Sequence, residues 1–270
     1  MSNKAKDPIG IFDSGIGGLT VAHAVKKLLP QESLIYFGDT AHLPYGDKST
    51  AAIQSYAVKI CDVLLQQHCK LILIACNSAS AAAFELVREY VGSKAKVMSV
   101  IEPVVDFVRE NFAESCVGLI GTKQTVQSNV FLKKIDHLNE NIDFRSLATP
   151  LLVPMIEEGF FKNEVSQQIV DTYLGHEALK DIKALILGCT HYPLIKKEID
   201  TYYHGKVQII DSSEITAKAL RAYLEFNNLL NSTGEAKDRF MVSDFTPSFE
   251  HSTALFFGKE IQLEKYPLWE

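Results

Sequence analysis

Two stretches of the chain share one pattern, and this pattern constrains the fold more than any other feature. Residues 184–193 read ALILGCTHYP, and residues 71–79 read LILIACNSA. In each, four apolar residues lead into a small residue, a cysteine and two polar residues. So short an apolar run, ended by polar residues, is typical of a buried strand in a parallel sheet. Cys76 and Cys189 should therefore lie where a strand ends and a helix begins, the edge at which open α/β sheets bind ligands.

The segments upstream of the two cysteines also match. Residues 9–14 (IGIFDS) parallel residues 117–122 (VGLIGT), at similar distances along the chain from their cysteines. This predicts a weak internal duplication of one α/β unit, with one cysteine in each unit. Strands alternate with helices throughout, which favours a doubly wound architecture. We therefore predict an α/β fold of two pseudo-symmetric, doubly wound domains, with mostly parallel sheets and an interdomain cleft that holds the active site.

Apolar runs and turn residues place the individual elements. The predicted strands are residues 9–12, 34–37, 71–74, 96–100, 117–121, 144–148, 184–187, 207–211, 239–243 and 261–266. The predicted helices are residues 19–29, 49–67, 79–88, 125–138, 165–180, 212–227 and 249–257. Asp13 or Ser14 is the expected cap of the first helix, and Ser212 or Ser213 that of the sixth. We expect polar loops at residues 38–48, 149–159 and 231–237, and a turn at residues 101–103.

Composition excludes several classes of protein. The net charge is −6 and no Lys/Arg run stands out, which argues against a nucleic-acid surface as the main function. The five cysteines are odd in number and form no CxxC pair, so a disulfide framework or a cysteine-rich zinc site is not expected. Residues 1–8 lack the apolar core of a signal peptide, and no apolar run approaches the roughly 18 residues of a membrane span. We expect a cytosolic protein with reduced thiols.

The matched cysteines suggest proton chemistry. A thiol has an unperturbed pKa of about 8.5, so it needs help to act as a base near neutrality. The N–H groups at a helix N-terminus stabilise a thiolate. One thiol could remove a proton from a stereocentre while the other returns a proton to the opposite face, which is racemisation without a cofactor. Alternatively, either cysteine is simply a small buried residue; we take Cys61, Cys69 and Cys116 to be structural.

Polar side chains near the cysteines could assist. His191 could orient Cys189 or share its proton, or it could cap a helix. Asp13 could cap a helix or place an acid over the cleft. Glu157 and Glu158 form a carboxylate pair on a loop pinned by prolines, so one of them could point inward. Donors and acceptors for the carboxylates and ammonium group of an amino acid come from Asp13, Ser14, Tyr45, Asn77, Ser78 and Thr190.

Five stretches, in order along most of the chain, resemble the glutamate racemases of the aspartate/glutamate racemase superfamily. They are residues 11–19 (IFDSGIGGL), 44–46 (PYG), 75–79 (ACNSA), 153–157 (VPMIE) and 188–193 (GCTHYP). The resemblance implies that Cys76 and Cys189 are the catalytic bases and that Asp13, Glu157 and His191 assist them. It implies a substrate site made of Asp13, Ser14, Tyr45, Gly46, Asn77, Ser78, Thr190 and His191. Ser78 stands where the family commonly has threonine; the serine keeps the hydroxyl group and lacks the methyl group.

The resemblance also implies the wider setting. It implies racemisation of L- and D-glutamate without pyridoxal phosphate, any other cofactor or a metal, in the cytoplasm of a bacterium that uses D-glutamate in peptidoglycan. It further implies a discontinuous first domain, residues 1–97 plus 211–270 with Asp13 and Cys76, and a second domain, residues 98–210, with Glu157 and Cys189. The expected partner is glutamate, with no need for nucleic acid or membrane; a homodimer stays open.

Three other functions remain open from the residues alone. A sister racemase acting on aspartate or a hydantoin would use the same pair of cysteines. An anion-binding regulatory module would use the glycine-rich turn at residues 15–18 and would tolerate loss of both thiols. A thiol redox protein fits less well, because the cysteines lie far apart in sequence and lack a nearby resolving partner.

Overall fold

The computed structural model describes residues 4–138, 140–232, 236–245 and 247–270. The strands are β1 Ile9–Asp13, β2 Leu34–Gly38, β3 Leu71–Ile74, β4 Lys96–Ser99, β5 Cys116–Gly121, β6 Asp143–Ala148, β7 Ala184–Gly188, β8 Gln208–Asp211, β9 Arg239–Val242 and β10 Glu264–Lys265. The α-helices are α1 Leu19–Leu28, α2 Thr50–Gln66, α3 Asn77–Val91, α4 Ile101–Asn111, α5 Lys123–Gln127, α6 Val130–Asp136, α7 Leu152–Glu157, α8 Glu164–Leu174, α9 Lys196–Tyr203, α10 Ser212–Phe226 and α11 Pro247–Phe257. Short 3₁₀ helices occur at Lys4–Lys6, Tyr45–Asp47, Glu177–Leu179 and Tyr192–Ile195.

The strands form two parallel sheets, as predicted. Sheet A has the order β10-β9-β2-β1-β3-β4, and sheet B has the order β6-β5-β7-β8. The middle of sheet A, β2-β1-β3-β4, has the same strand order as the whole of sheet B when each strand is matched to its counterpart in the other half. The sheets therefore show the predicted duplication as a repeated topology. Sheet A draws its strands from both ends of the chain, and sheet B from the middle.

Three predicted segments differ from the structure for local backbone reasons. The helix predicted at residues 125–138 is two helices, because Asn129 takes a left-handed conformation with φ of 54° between α5 and α6. The loop expected at residues 149–159 contains α7, and the turn expected at 101–103 begins α4. Both contain a proline in the first turn, where the missing N–H would have had no acceptor within the helix.

The helix expected directly after Cys189 begins only at Lys196, after a 3₁₀ turn, and the remaining differences concern element ends. The helix predicted at residues 165–180 ends at Leu174 and is followed by a 3₁₀ turn, and the last strand is only Glu264–Lys265. Gly18, not Asp13 or Ser14, is the N-cap residue of α1. Asp211, whose carboxylate accepts the Ser213 N–H, caps α10 in place of the predicted serines. Part of the predicted turn at residues 231–237 lies outside the described residues.

Both faces of sheet A are covered. Ile9 and Ile11 face a core that continues into sheet B, whereas Phe12 faces a second core beneath α2 and α3. On the shared side, α10 packs against both α1 and α4. The two sheets are thus joined by a continuous apolar core behind the edges where their strands end. No helix among the described residues is long and apolar enough to cross a membrane.

Candidate active site

The carboxyl ends of the two sheets face one pocket. Cys76 follows β3 and Cys189 follows β7, its topological counterpart, and each is 6% exposed. Ten of the residues predicted from sequence line this pocket: Ser14, Tyr45, Gly46, Cys76, Asn77, Ser78, Glu157, Cys189, Thr190 and His191. Thr122, Thr149 and Lys123 line it as well. The matched motifs of the two halves therefore meet at a single site.

Cys76 is the N-cap residue of α3. Its Sγ accepts a hydrogen bond from the Ala79 N–H at 3.4 Å and donates to Ser14 Oγ at 3.7 Å. Burial, helped by the charge of Asp13, raises the pKa of Cys76 to about 12. The helix N–H groups oppose this shift because they stabilise the thiolate. At neutral pH Cys76 therefore holds its proton, and its ionised form has helix support.

Cys189 is supported by a side chain instead of a helix. The turn after it is 3₁₀, and Sγ lies 3.6 Å from His191 Nδ1. His191 Nε2 lies 3.0 Å from Glu157 Oε1, so thiol, imidazole and carboxylate form a row. Burial alone would lower the pKa of His191, but the hydrogen bonds to Cys189 and Glu157 raise it to about 10. The two thiols thus have different auxiliary groups, although their places in the fold match.

Asp13 lies behind the wall of the pocket. It is fully buried at the end of β1, and its Oδ2 accepts the N–H groups of Gly15 and Gly18 at 3.1 and 3.0 Å. Burial raises the pKa of Asp13, against the opposing charge of His191 and the hydrogen bonds from Gly18 and Gly15. Asp13 therefore shapes the glycine-rich turn and sets the charge near Cys76.

The glycine-rich turn also packs against the other half. A Cβ atom on Gly17 would lie 2.4 Å from an imidazole carbon of His191 and 2.7 Å from Thr190 Oγ1. The hydroxyl of Thr20, in the first turn of α1, donates to the carbonyl of Thr190 at 2.9 Å. Only glycine permits this approach. The absence of a side chain on Gly17 therefore lets this turn lie directly against Thr190 and His191.

Tyr45 differs from the sequence expectation. Pro44 and Gly46 fix the course of the loop at residues 38–48 and predict an exposed Tyr45, but Tyr45 is 1% exposed and its hydroxyl donates to Asp39 Oδ2 at 2.7 Å. Asp39 is fully buried and also accepts from Ser243 Oγ and Trp269 Nε1, each at 2.7 Å. The hydrogen bond from the phenol of Tyr45 to Asp39 thus holds the loop in place. The sequence does not single out Asp39, even though a buried strand leads directly into it.

Two further threonines in the pocket escaped the sequence reading. Thr122 Oγ1 lies 2.8 Å from Ser78 Oγ, and Thr149 Oγ1 lies 2.7 Å from the hydroxyl of Tyr192. The duplication could have revealed Thr122, because it stands at the end of β5 as Ser14 does at the end of β1. Thr149 follows β6 and has no comparable signal in its local sequence.

Asn77 is the clearest candidate for contact with a ligand. It is 2% exposed and lines the pocket. Within the described part of the chain, neither its amide nitrogen nor its amide oxygen has a hydrogen-bond partner. Buried amides are normally paired, so this side chain is suited to bind polar groups of a molecule in the pocket. The described residues include no group of three or more His, Cys, Asp or Glu placed to hold a metal ion.

Comparison with known proteins identifies the family. The Asp/Glu/hydantoin racemase family matches residues 19–220. Glutamate racemase of Chlorobaculum tepidum is 40% identical over 255 residues, which cover 94% of this chain and 93% of the relative. The chain belongs to the glutamate racemases of this family.

Solved structures of glutamate racemases have the same fold. The Francisella tularensis enzyme in complex with D-glutamate is 41% identical, with a TM-score of 0.92 over 98% of this chain and 99% of that one. The Thermus thermophilus enzyme in complex with β-chloro-D-alanine is 38% identical, with a TM-score of 0.87 over 97% of each chain. The predicted fold class, family and enzyme class, an amino-acid racemase, are thereby confirmed.

Proposed function

We propose that this protein interconverts L- and D-glutamate without a cofactor, by a two-thiol mechanism. The observation that carries the proposal is the position of Cys76 and Cys189, which occupy equivalent places in two equivalent halves and line one pocket. One thiolate takes the α-proton of the bound amino acid and leaves a carbanion. The other thiol gives its own proton to the opposite face. The electron pair returns to the new C–H bond, so nothing is consumed.

Each thiol has neighbouring groups that help it to release and accept a proton. Cys76 has the N–H groups of α3, which stabilise its thiolate, and Asp13 behind it, which favours the protonated form. Cys189 has His191, which can hold its proton, and Glu157, which orients the imidazole. We assign Cys76 to the D enantiomer and Cys189 to the L enantiomer, an assignment that rests on family resemblance.

The pocket offers the amino acid a polar lining. The proposed substrate-binding residues are Ser14, Tyr45, Gly46, Asn77, Ser78, Thr190 and His191, with Asp13 acting from behind the glycine-rich turn. Tyr45 and Gly46 act through their backbone, since the phenol of Tyr45 is bonded to Asp39. The two catalytic halves correspond to residues 1–97 with 211–270 and to residues 98–210. In the cell, the product D-glutamate would supply peptidoglycan synthesis in the bacterial cytoplasm.

The test is exchange of the α-proton in heavy water, resolved by enantiomer. Protein is first dialysed against chelator, with no pyridoxal phosphate added. Wild type should racemise glutamate, and aspartate far more slowly. Cys76→Ala and Cys189→Ala should each lose racemisation in both directions. Each remaining thiol still faces one side of the α-carbon, so Cys189→Ala should exchange only D-glutamate and Cys76→Ala only L-glutamate.

Other results would contradict the proposal in distinct ways. Near wild-type racemisation by either single variant would eliminate the two-thiol mechanism. Exchange with the enantiomers reversed would overturn only the assignment of faces. Activity that returned only with added metal or pyridoxal phosphate would rule out cofactor independence. The double variant should lose no more racemisation activity than the single variants, because the two residues act as a unit in racemisation.

A further inference from the structure

An exposed ion pair crosses the mouth of the pocket. Lys123 Nζ, in the first turn of α5, lies 3.2 Å from Asp47 Oδ1, in the 3₁₀ turn that follows β2. Both side chains line the pocket and are at least half exposed. Next to them, Gln124 Nε2 donates to Thr50 Oγ1 at 3.1 Å. The pair therefore joins a loop of sheet A to a helix end of sheet B at the surface.

A closer contact lies beneath the ion pair. Thr122 Oγ1 is 2.8 Å from Ser78 Oγ, and a Cβ atom on Gly46 would lie 2.8 Å from Thr122 Cβ. Thr125 Oγ1 lies 3.4 Å from Ser78 Oγ and 3.0 Å from Thr122 Oγ1, so three hydroxyl groups form a small polar network between the halves. The front of the site is thus closed by the exposed ion pair, these hydroxyl contacts and the packing of α5 against α3 and the 3₁₀ turn at Tyr45–Asp47.

The back of the site is joined much more firmly. There α10 packs on α1 and α4 across a continuous buried core. Thr20 donates to the carbonyl of Thr190, and Gly17 lies directly against His191. Separating the halves here would expose apolar surface, which costs far more than breaking exposed polar contacts. Any opening of the pocket should therefore occur at the front and hinge at the back.

The thiols have little contact with solvent while the front contacts are closed. Cys76 and Cys189 are each only 6% exposed, so separation of the front contacts would widen the path from solvent to either sulfur. We infer that the Asp47–Lys123 ion pair is the latch of a gate between the halves, which opens to admit and release the amino acid. An exposed pair is suited to this work, since it contributes little free energy and breaks readily.

Alkylation of the thiols by iodoacetamide, an uncharged reagent, measures the gate without using racemase activity. The rate is followed separately for Cys76 and Cys189 by peptide mass spectrometry, at low and high salt. In wild type, both rates should rise with salt, because salt screens the exposed pair. Asp47→Asn and Lys123→Met should each raise both rates at low salt by roughly two- to five-fold, the factor that an exposed ion pair supplies, and abolish the salt effect.

The opposite charges of the two residues make the test specific. Through electrostatics alone, loss of Asp47 would favour the thiolates and loss of Lys123 would disfavour them, so the rates would move in opposite directions. A gate predicts that both variants accelerate alkylation. Asp47→Lys combined with Lys123→Asp should restore slow, salt-sensitive alkylation. Opposite shifts, unchanged rates or failure of the exchanged pair to restore protection would overturn the inference.

Two controls separate opening of the gate from general loosening. Cys61 is fully buried in α2, away from the pocket lining, and should stay unmodified in every variant over the same period. Glu225→Gln removes a comparably exposed ion pair with Arg221 on α10 and should leave both alkylation rates at the wild-type value. Modification of Cys61 in step with Cys76 would show that the chain unfolds and that the latch is not the cause. The alkylation rates do not depend on racemase activity, so this inference and the proposed function can be contradicted separately.

Discussion

Glu157 and Glu158 are both exposed at the end of α7, but only the Glu157 carboxylate lies within hydrogen-bond distance of His191, at 3.0 Å from Nε2. We expect Glu157→Gln to lower turnover by roughly ten-fold. This loss is smaller than the roughly 10²–10⁴-fold rate effect of a group that transfers the proton itself. The reason is that the amide removes the charge that helps to raise the pKa of His191. Glu158→Gln is the matched control and should turn over like wild type. Enantiomer-resolved kinetics and a histidine NMR titration check both effects.

Two outcomes would reverse this assignment. Equal losses in the Glu157 and Glu158 variants would mean that neither carboxylate acts through His191. An unchanged His191 pKa in Glu157→Gln, despite lower turnover, would mean that Glu157 acts on the substrate and not on the imidazole. The kinetic and titration measurements therefore test the role of the contact as well as its importance.

Individual residues show where sequence reasoning succeeds. Cys76 and Cys189 could be placed because a buried strand leads directly into each of them, and the duplication then set them facing one pocket. Asp39 shows the limit. Its importance comes from Ser243 and Trp269, which lie about two hundred residues further along the chain. No local pattern records which donors the fold will bring to a buried carboxylate.

Among the elements, α7 is the one whose prediction failed near the site. Two prolines and a carboxylate pair suggested a loop, but a proline in the first turn of a helix loses no internal hydrogen bond. Helix formation places Glu157 at the last position of α7, facing His191. The sequence reading expected one inward carboxylate for a different reason, the pinning of a loop. The strands β1, β2, β3 and β7 were easier to predict, because every residue in each of them is buried.

At the opposite end of sheet A, a buried ion pair ties the first and last segments of that half together. Lys70 Nζ, just before β3, bonds Glu32 and the carbonyls of Ala5 and Leu229, with both charged side chains almost fully buried. Lys70→Met should reduce the free energy of unfolding by about 3–5 kcal/mol, because it strands the Glu32 carboxylate. Chemical denaturation measures the loss.

A double variant and a variant of an exposed ion pair are the controls for this prediction. Lys70→Met with Glu32→Leu should lose less stability than Lys70→Met alone, since no unpaired charge remains. Glu225→Gln, which breaks the exposed pair with Arg221, should cost about 1 kcal/mol or less. If Lys70→Met cost no more than this control, the pair would not hold the segments together. Turnover of the folded variants should stay at the wild-type value, because the pair lies at the far edge of the sheet.

The candidate active site lies at the junction of the two halves of the molecule, and His191 contacts both halves there. It lies against Gly17 of one half, bonds Glu157 of the other and packs edge-on against Phe256 at 5.2 Å. The repetition of one α/β unit and the position of the cleft followed from the duplicated motif. The firm packing behind the site did not, because it depends on how α1, α4 and α10 meet after folding.

Protonation of His191 should therefore contribute to the stability of the entire fold. Its pKa is raised to about 10 in the native state, whereas an unfolded histidine has a pKa of about 6.5. The native state then binds more protons than the unfolded state between these values. The contribution is fully present below about pH 6.5 and is lost as the pH rises towards 10, with a slope of up to about 1.4 kcal/mol per pH unit. The cysteines of the unfolded chain titrate at about pH 8.5, within this range, so the comparison must be differential. Denaturant unfolding of wild type and His191→Gln at intervals from pH 6 to 9 gives the difference in free energy of unfolding. That difference should shrink steadily as the pH rises, whereas a constant difference would show that packing alone accounts for His191.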